Sequence, residues 1–143
     1  RSDNDTLEDL VSRMREFGLR VCDAKHIRFN IQISQSFKAS KLSLEQRRNL
    51  YLIFREALNN AVKYAESSQI DLILNLKSRF LKMEISDNGK GFDPATIKRG
   101  NGLNNLEKRA KEIGGQIEIK SQPGKGTCIN LMMVLKKSLL TEK

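Results

Sequence analysis

The 143-residue chain has few cysteines and no long apolar segment. Its two cysteines, Cys22 and Cys128, lie far apart in the sequence and suggest no disulfide framework. We therefore expect free thiols in a reducing compartment, which predicts a cytoplasmic location for this chain. No apolar run approaches the roughly 20 residues that a transmembrane helix needs, and no secretory signal is visible.

Aromatic residues are also scarce, with six Phe and two Tyr in the whole chain. The net charge of +9 could indicate a polyanionic partner such as nucleic acid, a membrane surface or nucleotide phosphates, and the scarcity of aromatic residues helps to decide between these interpretations and none. The basic residues are scattered, and proteins that bind single strands need stacking platforms as well as charge. We therefore favour ordinary solvated lysines and expect no nucleic acid partner.

What the chain does contain fits a soluble globular protein, since 38% of its residues are hydrophobic and 30% are charged. The length is enough for one domain with its own core. We predict a single domain over residues 1–143. It would comprise an N-terminal helix and strand (1–42), a compact core (43–136) and a tail (137–143).

Hydrophobic periodicity predicts eight elements in the order α-β-α-β-β-α-β-β. Asp5 is placed to cap the first helix, and 36–41 reads as a loop. Ser43 and Gln46 form a capping box that opens a long helix. Two of the β–β connections are short enough for hairpins. The pattern predicts an α+β fold, a two-layer α/β sandwich with helices on one face of a mixed, mostly antiparallel sheet.

The most informative stretch is Asp-Asn-Gly-Lys-Gly-Phe at 87–92, which directly follows a predicted strand. Strand side chains alternate faces, so Asp87 falls on the same face as the apolar Leu81, Met83 and Ile85. An inward carboxylate is unfavourable unless a donor meets it. The two glycines let the backbone turn and approach a ligand closely. This stretch therefore predicts a buried pocket for a ligand with an N–H donor.

The long helix carries a polar stripe, because Glu56, Asn60 and Lys63 are spaced to lie along one side. A solvated helix surface would look the same. However, Asn59 and Asn60 are adjacent and mid-helix, where Asn is a poor former, and broken local rules tend to mark functional sites. A carboxylate and an amide oxygen one turn apart can orient Mg²⁺. The lysine could then meet phosphate as a point charge.

Two further glycine-bearing segments stand at 99–103, where a helix starts, and at 124–127, between two strands. Helix N-termini attract anions, although a flexible turn would look the same. Thr127 has the inward parity of its strand, as Asp87 has in its own, so the two could share one ligand edge. The chain has neither G-x-G-x-x-G nor G-x-x-x-x-G-K-[ST], so any nucleotide site must be of another type.

Together, these segments resemble the boxes of the GHKL (Bergerat) ATP-binding fold, which histidine kinases share with gyrase-type topoisomerases. The likeness covers roughly 44–135, and four motifs in order make it specific. Within that family the chain looks most like sensor histidine kinases of the nitrate-sensor and lipid-desaturase-sensor type. In the order N box, G1 box, G2 box and terminal Gly-Thr motif, the matching segments are 56–65, 87–92, 100–103 and 124–127.

The resemblance implies a role for each residue that matches an adenine-binding motif. Asp87 would accept a hydrogen bond from the adenine amino group, and Thr127 would support the adenine, through water. Gly89 and Gly91 would shape the adenine pocket. Tyr64 would pack against adenine or ribose, or else be an aromatic residue at the edge of the core.

For the phosphate end, the resemblance implies a second group of residues. Asn60 would bind Mg²⁺, Glu56 would orient water or assist the metal, and Lys63 would contact phosphate. Gly100 and Gly102, with Leu103 completing their motif, would anchor a short lid over the phosphates. Lys98 and Arg99 could reach those phosphates. The implied cofactors are thus ATP and Mg²⁺.

One departure from a complete histidine kinase concerns the phosphoacceptor. The only histidine is His26, at a strand edge, and we interpret it as structural or exposed. We therefore expect a catalytic fragment of a longer, membrane-associated homodimeric kinase. The γ-phosphoryl group of ATP would be transferred to a histidine on a separate dimerisation domain. A response regulator receiver domain would be a further partner.

Two alternatives remain open from the sequence. The chain could be a stand-alone GHKL ATPase or a protein-serine kinase of the anti-sigma type, which ATP turnover without an acceptor or phosphate on a partner serine would reveal. It could also be a basic α+β module that binds nucleic acid. Salt-sensitive DNA binding with no affinity for ATP would favour that view.

Overall fold

A computed structural model describes residues 6–95 and 101–135 of the chain. Within these ranges the chain forms four helices and five strands. They are α1 (Leu7–Asp23), β1 (Arg28–Ile33), α2 (Gln35–Lys38), α3 (Leu44–Tyr64), β2 (Gln69–Lys77), β3 (Phe80–Asp87), α4 (Asn101–Glu112), β4 (Gly115–Ser121) and β5 (Thr127–Val134).

The five strands form one sheet in the order β1-β2-β3-β5-β4. The first two strands are parallel, while the other three neighbouring pairs are antiparallel. Both short β–β connections are hairpins, as the sequence predicts. A mixed, mostly antiparallel sheet is therefore confirmed.

The core lies between one face of the sheet and the helices α1, α3 and α4. Alternate residues of each central strand point to this face and are buried, which follows from the two-residue period of a strand. On α3, the helical spacing collects the buried residues into one stripe that meets them. Burial of each large apolar side chain contributes about 1.5–3 kcal/mol. The fully buried members include Leu50, Ile53, Phe54, Leu58, Leu72, Leu74, Leu81 and Met83.

Two local predictions were wrong. Thr6, not Asp5, is the N-cap of α1, and its hydroxyl accepts the backbone N–H of Asp9 at 3.0 Å. Asp5 itself lies outside the described residues. The predicted loop at 36–41 overlaps α2, a helix too short to show a periodicity in the sequence. Its Phe37 side chain is fully buried, so tertiary packing stabilises this single turn.

Other boundaries agree closely with the sequence. Ser43 and Gln46 form the predicted capping box, in which each side chain accepts the backbone N–H of the other residue. Gly114 has a φ of 72° and follows α4 as a helix-ending glycine. Cys22 and Cys128 are free thiols, as expected. His26 is exposed, in the turn between α1 and β1, as expected.

No helix of the described part of the chain is both long and apolar enough to cross a lipid bilayer. The predicted C-terminal tail lies outside the described residues.

Candidate functional site

Asp87 and Thr127 lie directly opposite each other on neighbouring antiparallel strands. Asp87 is the last residue of β3, and Thr127 is the first residue of β5. Directly opposed side chains on the same face have Cβ atoms about 4.5–5.5 Å apart. The prediction that an inward carboxylate and an inward hydroxyl lie together at strand ends is therefore confirmed, while their contact with one shared ligand stays a prediction.

The Asp87 carboxylate is half-buried, and its environment disfavours the charged form. Burial raises the pKa of Asp87 above its ordinary value of 3.8, while hydrogen bonds from the backbone N–H groups of Gly89 and Thr127 oppose that rise. The bond from the Gly89 N–H to Asp87 Oδ1 measures 2.8 Å. A ligand that donates a hydrogen bond at this position would favour the carboxylate form. The local electrostatics thus suit an amino group on a ligand.

Ser121, which the motifs did not single out, completes this end of the sheet. Its Oγ lies 2.8 Å from Thr127 Oγ1, and it accepts the backbone N–H of Phe92 at 2.9 Å. Ser121 is the last residue of β4 and pairs with Thr127 in the strand register. Its inward parity, shared with Ile117 and Ile119, is the sequence signal that could have identified it.

The segment that starts at the last residue of β3, which we call the glycine loop (87–92), leaves no room for side chains at its glycines. A Cβ at Gly89 would collide with the carbonyl oxygen of Ala65, and one at Gly91 would collide with that of Gln122. Gly91 also has a φ of 63°, which favours glycine. The loop is therefore wedged between the end of α3 and the β4–β5 turn.

A groove of about 620 Å³ opens at this edge of the sheet. Its volume falls within the usual range for small-ligand pockets, about 300–1,000 Å³. Aspartate, serine and threonine residues line it beside lysines, Ile119 and Pro94, so it offers both polar recognition and charge. The members that bear on recognition are Asp87, Ile119, Lys120, Ser121, Lys125 and Thr127.

The predicted polar stripe of α3 lies near the glycine loop but does not line this groove. Glu56 and Asn60 are half-buried, and Lys63 is exposed. The Lys90 N–H donates to the Ala65 carbonyl oxygen at 2.7 Å, which ties the loop to the end of the helix. With a rise of 1.5 Å per residue, Asn60 lies about 7.5 Å along the helix axis from that contact. Contact between this stripe and a ligand remains a prediction.

Tyr64 is 63% exposed at the last position of α3. It is therefore not an aromatic residue of the core edge. Its exposed ring remains available to a ligand.

At the predicted lid, Gly102 and Leu103 lie in the first turn of α4, and Leu103 packs partly buried against the core. The first turn of this helix contains no acidic residue that would compete for an anion. Lys98, Arg99 and Gly100 lie outside the described residues. Their predicted contacts with phosphate therefore stay predictions.

The donor set on α3 fits a hard cation that is shared with a phosphorylated ligand. Within the described residues, no group of three or more His, Cys, Asp or Glu side chains could hold a metal. Glu56 and Asn60 offer two oxygen donors one helical turn apart. Mg²⁺ keeps several waters and is usually bound by one or two carboxylates together with substrate phosphates.

Comparison with known proteins identifies this architecture. Residues 45–137 match the family described as histidine kinase-, DNA gyrase B- and HSP90-like ATPases. The chain is 36% identical over 102 residues to the sensor histidine kinase LiaS of Bacillus subtilis, covering 71% of this chain and 28% of that protein. It is 38% identical over 91 residues to a sensor-like histidine kinase of Chloroflexus aurantiacus, covering 59% of this chain and 15% of the relative.

Solved structures share the fold. The histidine kinase domain of the blue-light-activated kinase of Erythrobacter litoralis superposes with a TM-score of 0.74 at 18% identity, over 88% of this chain and 61% of that one. The Acinetobacter baumannii histidine kinase AdeS gives a TM-score of 0.72 at 15% identity, over 91% of this chain and 65% of that one. The chain belongs to the family of histidine kinase-, DNA gyrase B- and HSP90-like ATPases, whose ATP-binding domain it carries.

Proposed function

We propose that this chain is the catalytic ATP-binding domain of a sensor histidine kinase. It binds Mg²⁺-ATP and presents the γ-phosphoryl group to a histidine on a separate dimerisation domain. The chain spans 28% and 15% of the two curated relatives, which leaves room in a related full-length protein for the acceptor and sensor regions. The further partners are a response regulator receiver domain and, in a membrane-associated homodimer, a second copy of the kinase. The proposed domain itself is cytoplasmic.

The observation that carries the proposal is the pairing of Asp87 with Thr127, both of which line the groove. Adenine carries an exocyclic amino group, which is a donor, whereas guanine carries a carbonyl oxygen in the corresponding place. A carboxylate with a raised pKa would accept a hydrogen bond from the amino group of adenine and would be repelled by the carbonyl oxygen of guanine. The site is therefore built for adenine rather than guanine.

The phosphate end supports phosphoryl transfer through position and charge. Mg²⁺, held by Asn60 and Glu56 together with phosphate oxygens, would neutralise charge on the phosphates. Lys63 supplies a point charge, and the N-terminus of α4 adds unpaired backbone N–H groups. Transfer breaks the bond between the γ-phosphorus and the β,γ-bridging oxygen, releases ADP and forms a phosphorus–nitrogen bond to the acceptor imidazole. Such reactions depend mainly on positioning and electrostatic stabilisation.

Calorimetry with ADP and Mg²⁺, compared with GDP, tests the site. We expect binding of ADP and at least about a hundredfold weaker binding of GDP, because the wrong base leaves a buried polar group unpaired. Asp87→Asn should abolish the preference while the fold remains intact. Asp71→Asn, which removes a half-exposed carboxylate from the other face of the sheet, is the matched control. ADP affinity unchanged in Asp87→Asn would refute the assignment.

Phosphoryl transfer is tested separately by mixing the chain with a dimerisation domain from a full-length relative and radiolabelled ATP. We expect acid-labile, base-stable label on the acceptor histidine and none on the chain alone. Rapid ATP hydrolysis without an acceptor, or label on a serine of a partner, would instead support the stand-alone ATPase or the serine kinase.

A further inference from the structure

A second concave site lies between α1 and the N-terminal half of α3. It is a groove of about 330 Å³ that combines four arginines with an apolar floor. We call it the arginine groove. Its lining residues are Leu10, Arg13, Leu44, Arg47, Arg48, Tyr51, Leu52 and Arg55.

The arginines of this groove form no ion pair with a carboxylate of the described residues. Within residues 6–95 and 101–135, the ion pairs join lysines to glutamates, and no arginine takes part in them. Arg47 donates to the neutral Leu42 carbonyl oxygen at 2.5 Å, which fixes its position. Arg13, Arg48 and Arg55 are exposed. The groove therefore gathers four arginines, none of which takes part in the ion pairs of residues 6–95 and 101–135.

Aromatic rings hold two of these side chains in place. The Arg13 guanidinium lies 4.5 Å from the centre of the Tyr51 ring, and the Arg55 guanidinium lies 4.8 Å from that of Phe17. A guanidinium placed over a ring still presents N–H donors at its edge, in a fork that matches a carboxylate. Because stacking restricts the side chains beforehand, less conformational freedom is lost when an anion binds.

The floor of the groove is apolar, which narrows the class of partner. Leu10 is buried, Leu52 is half-buried, and Leu44 stands at the rim with 46% of its surface exposed. A lone inorganic anion would use the charge but leave the leucines unmatched. A segment that carries both carboxylates and an apolar side chain would pair with the arginines and also contact the leucines.

We propose that the arginine groove binds an acidic, leucine-bearing peptide segment of a partner protein. Glutamate or aspartate side chains would pair with Arg13, Arg48 and Arg55, while an aliphatic side chain would rest between Leu44 and Leu52. The groove lies on α1 and the start of α3, whereas the nucleotide site lies beyond the other end of α3. This interaction surface is therefore separate from the proposed catalytic function and does not depend on it.

Two other anionic surfaces fit less well. A single-stranded nucleic acid needs free aromatic faces for stacking, and guanidinium groups already lie over Tyr51 and Phe17. A lipid headgroup layer presents a broad surface rather than a narrow apolar ridge, so it would not reach the floor of a groove between two helices. The charge and the shape together favour a peptide.

Fluorescence anisotropy of the full chain with a labelled helical peptide of glutamate and leucine tests the proposal. We expect binding that weakens as salt rises. Arg13→Gln combined with Arg48→Gln should reduce affinity about five- to tenfold, since each exposed pair contributes modestly. The control combines Arg28→Gln with Arg79→Gln, which removes the same charge from exposed positions elsewhere and should have no such effect.

A charge-neutral variant tests the apolar contact at the rim of the groove. Leu44→Gln should reduce peptide affinity about two- to fivefold without altering the net charge. ADP affinity and the thermal unfolding midpoint serve as folding controls for all variants. Peptide affinity that is equal in the groove double variant and its control would overturn the proposal. So would the absence of peptide binding, or tighter binding to phosphatidylglycerol vesicles or single-stranded DNA that the groove substitutions weaken.

Discussion

The side-chain amide of Asn88 forms hydrogen bonds with Ser68 through both its oxygen and its nitrogen. The backbone N–H of Ser68 donates to Asn88 Oδ1 at 2.9 Å, and Asn88 Nδ2 donates to Ser68 Oγ at 2.9 Å. The same Oδ1 also accepts the N–H of Gln69 at 3.0 Å. One side chain of the glycine loop therefore ties that loop to the connection between α3 and β2. Because Asp87 precedes Asn88 directly, we expect these hydrogen bonds to help position its carboxylate.

Asn88→Ala should loosen the glycine loop, because it removes all three of these hydrogen bonds. At about 0.5–1.5 kcal/mol for each hydrogen bond, discounted for the exposure of this residue, we expect a loss of about 1–2 kcal/mol in the free energy of unfolding. ADP affinity should fall as well. Urea unfolding and calorimetry measure the two effects. Asn75→Ala, at an exposed position of β2, is the control. Unchanged stability and ADP affinity in Asn88→Ala would show that the tie is dispensable.

The inward face of Asp87 and that of Thr127 could be predicted because strand parity is a local property, whereas the pairing of β3 with β5 could not. Once each strand is recognised, the period of two assigns every side chain to a face. The hairpins and the capping box at Ser43 are likewise encoded within a few residues. For this reason the face of each site residue on the sheet, and the sheet type, followed from the sequence.

Other features depend on contacts between distant segments, which no local pattern encodes. Asn88 meets Ser68 across 20 residues, and Ser121 meets the N–H of Phe92 across 29. The α2 turn forms because Phe37 finds a buried place in the core. The arginine groove was also not predicted from the sequence, in which its basic residues look scattered. Helix packing brings Arg13 of α1 beside the arginines of α3.

Gly89→Ala should displace the glycine loop from the end of α3. The added Cβ would meet the backbone carbonyl of Ala65, which cannot move as a flexible side chain would. We expect a loss of about 1–3 kcal/mol in the free energy of unfolding together with loss of ADP binding.

Gly114→Ala is a suitable comparison for that variant. Its φ of 72° disfavours alanine, but no atom lies within 4 Å of the added Cβ. It should reduce stability by about 1–2 kcal/mol through the backbone alone and leave ADP affinity unchanged. Equal effects of Gly89→Ala and Gly114→Ala on ADP affinity would contradict a role in ADP binding for the close packing of the glycine loop against Ala65.

Ser121→Ala should weaken adenine binding without unfolding the chain. The substitution removes the contact with Thr127 Oγ1 and leaves the Phe92 N–H without its acceptor. The expected result is about three- to tenfold weaker binding of ADP by calorimetry, equivalent to roughly 0.7–1.4 kcal/mol. Ser36→Ala, an exposed serine of α2, should bind ADP like the wild type. A similar decrease in both variants would assign the effect to something other than this contact.

The raised pKa of Asp87 predicts a dependence of stability on pH in the nucleotide-free chain. Burial places the folded-state pKa above the ordinary 3.8, so between these two values the folded chain holds a proton that the unfolded chain has lost. The free energy of unfolding therefore falls as pH rises through that window and stays lower above it. Asp87→Asn removes the titrating carboxyl group and with it this fall in the free energy of unfolding.

We expect Asp87→Asn and the wild type to be equally stable below about pH 4, and the variant to be more stable near pH 7. Urea unfolding at intervals between about pH 3 and about pH 8 measures the difference. Asp71→Asn controls for the loss of one negative charge from a chain of net charge +9. A variant less stable than the wild type at pH 7 would mean that the hydrogen bonds from Gly89 and Thr127 outweigh burial. A gain in stability together with the loss of ADP binding would show that this carboxylate is retained for recognition, at the expense of the fold.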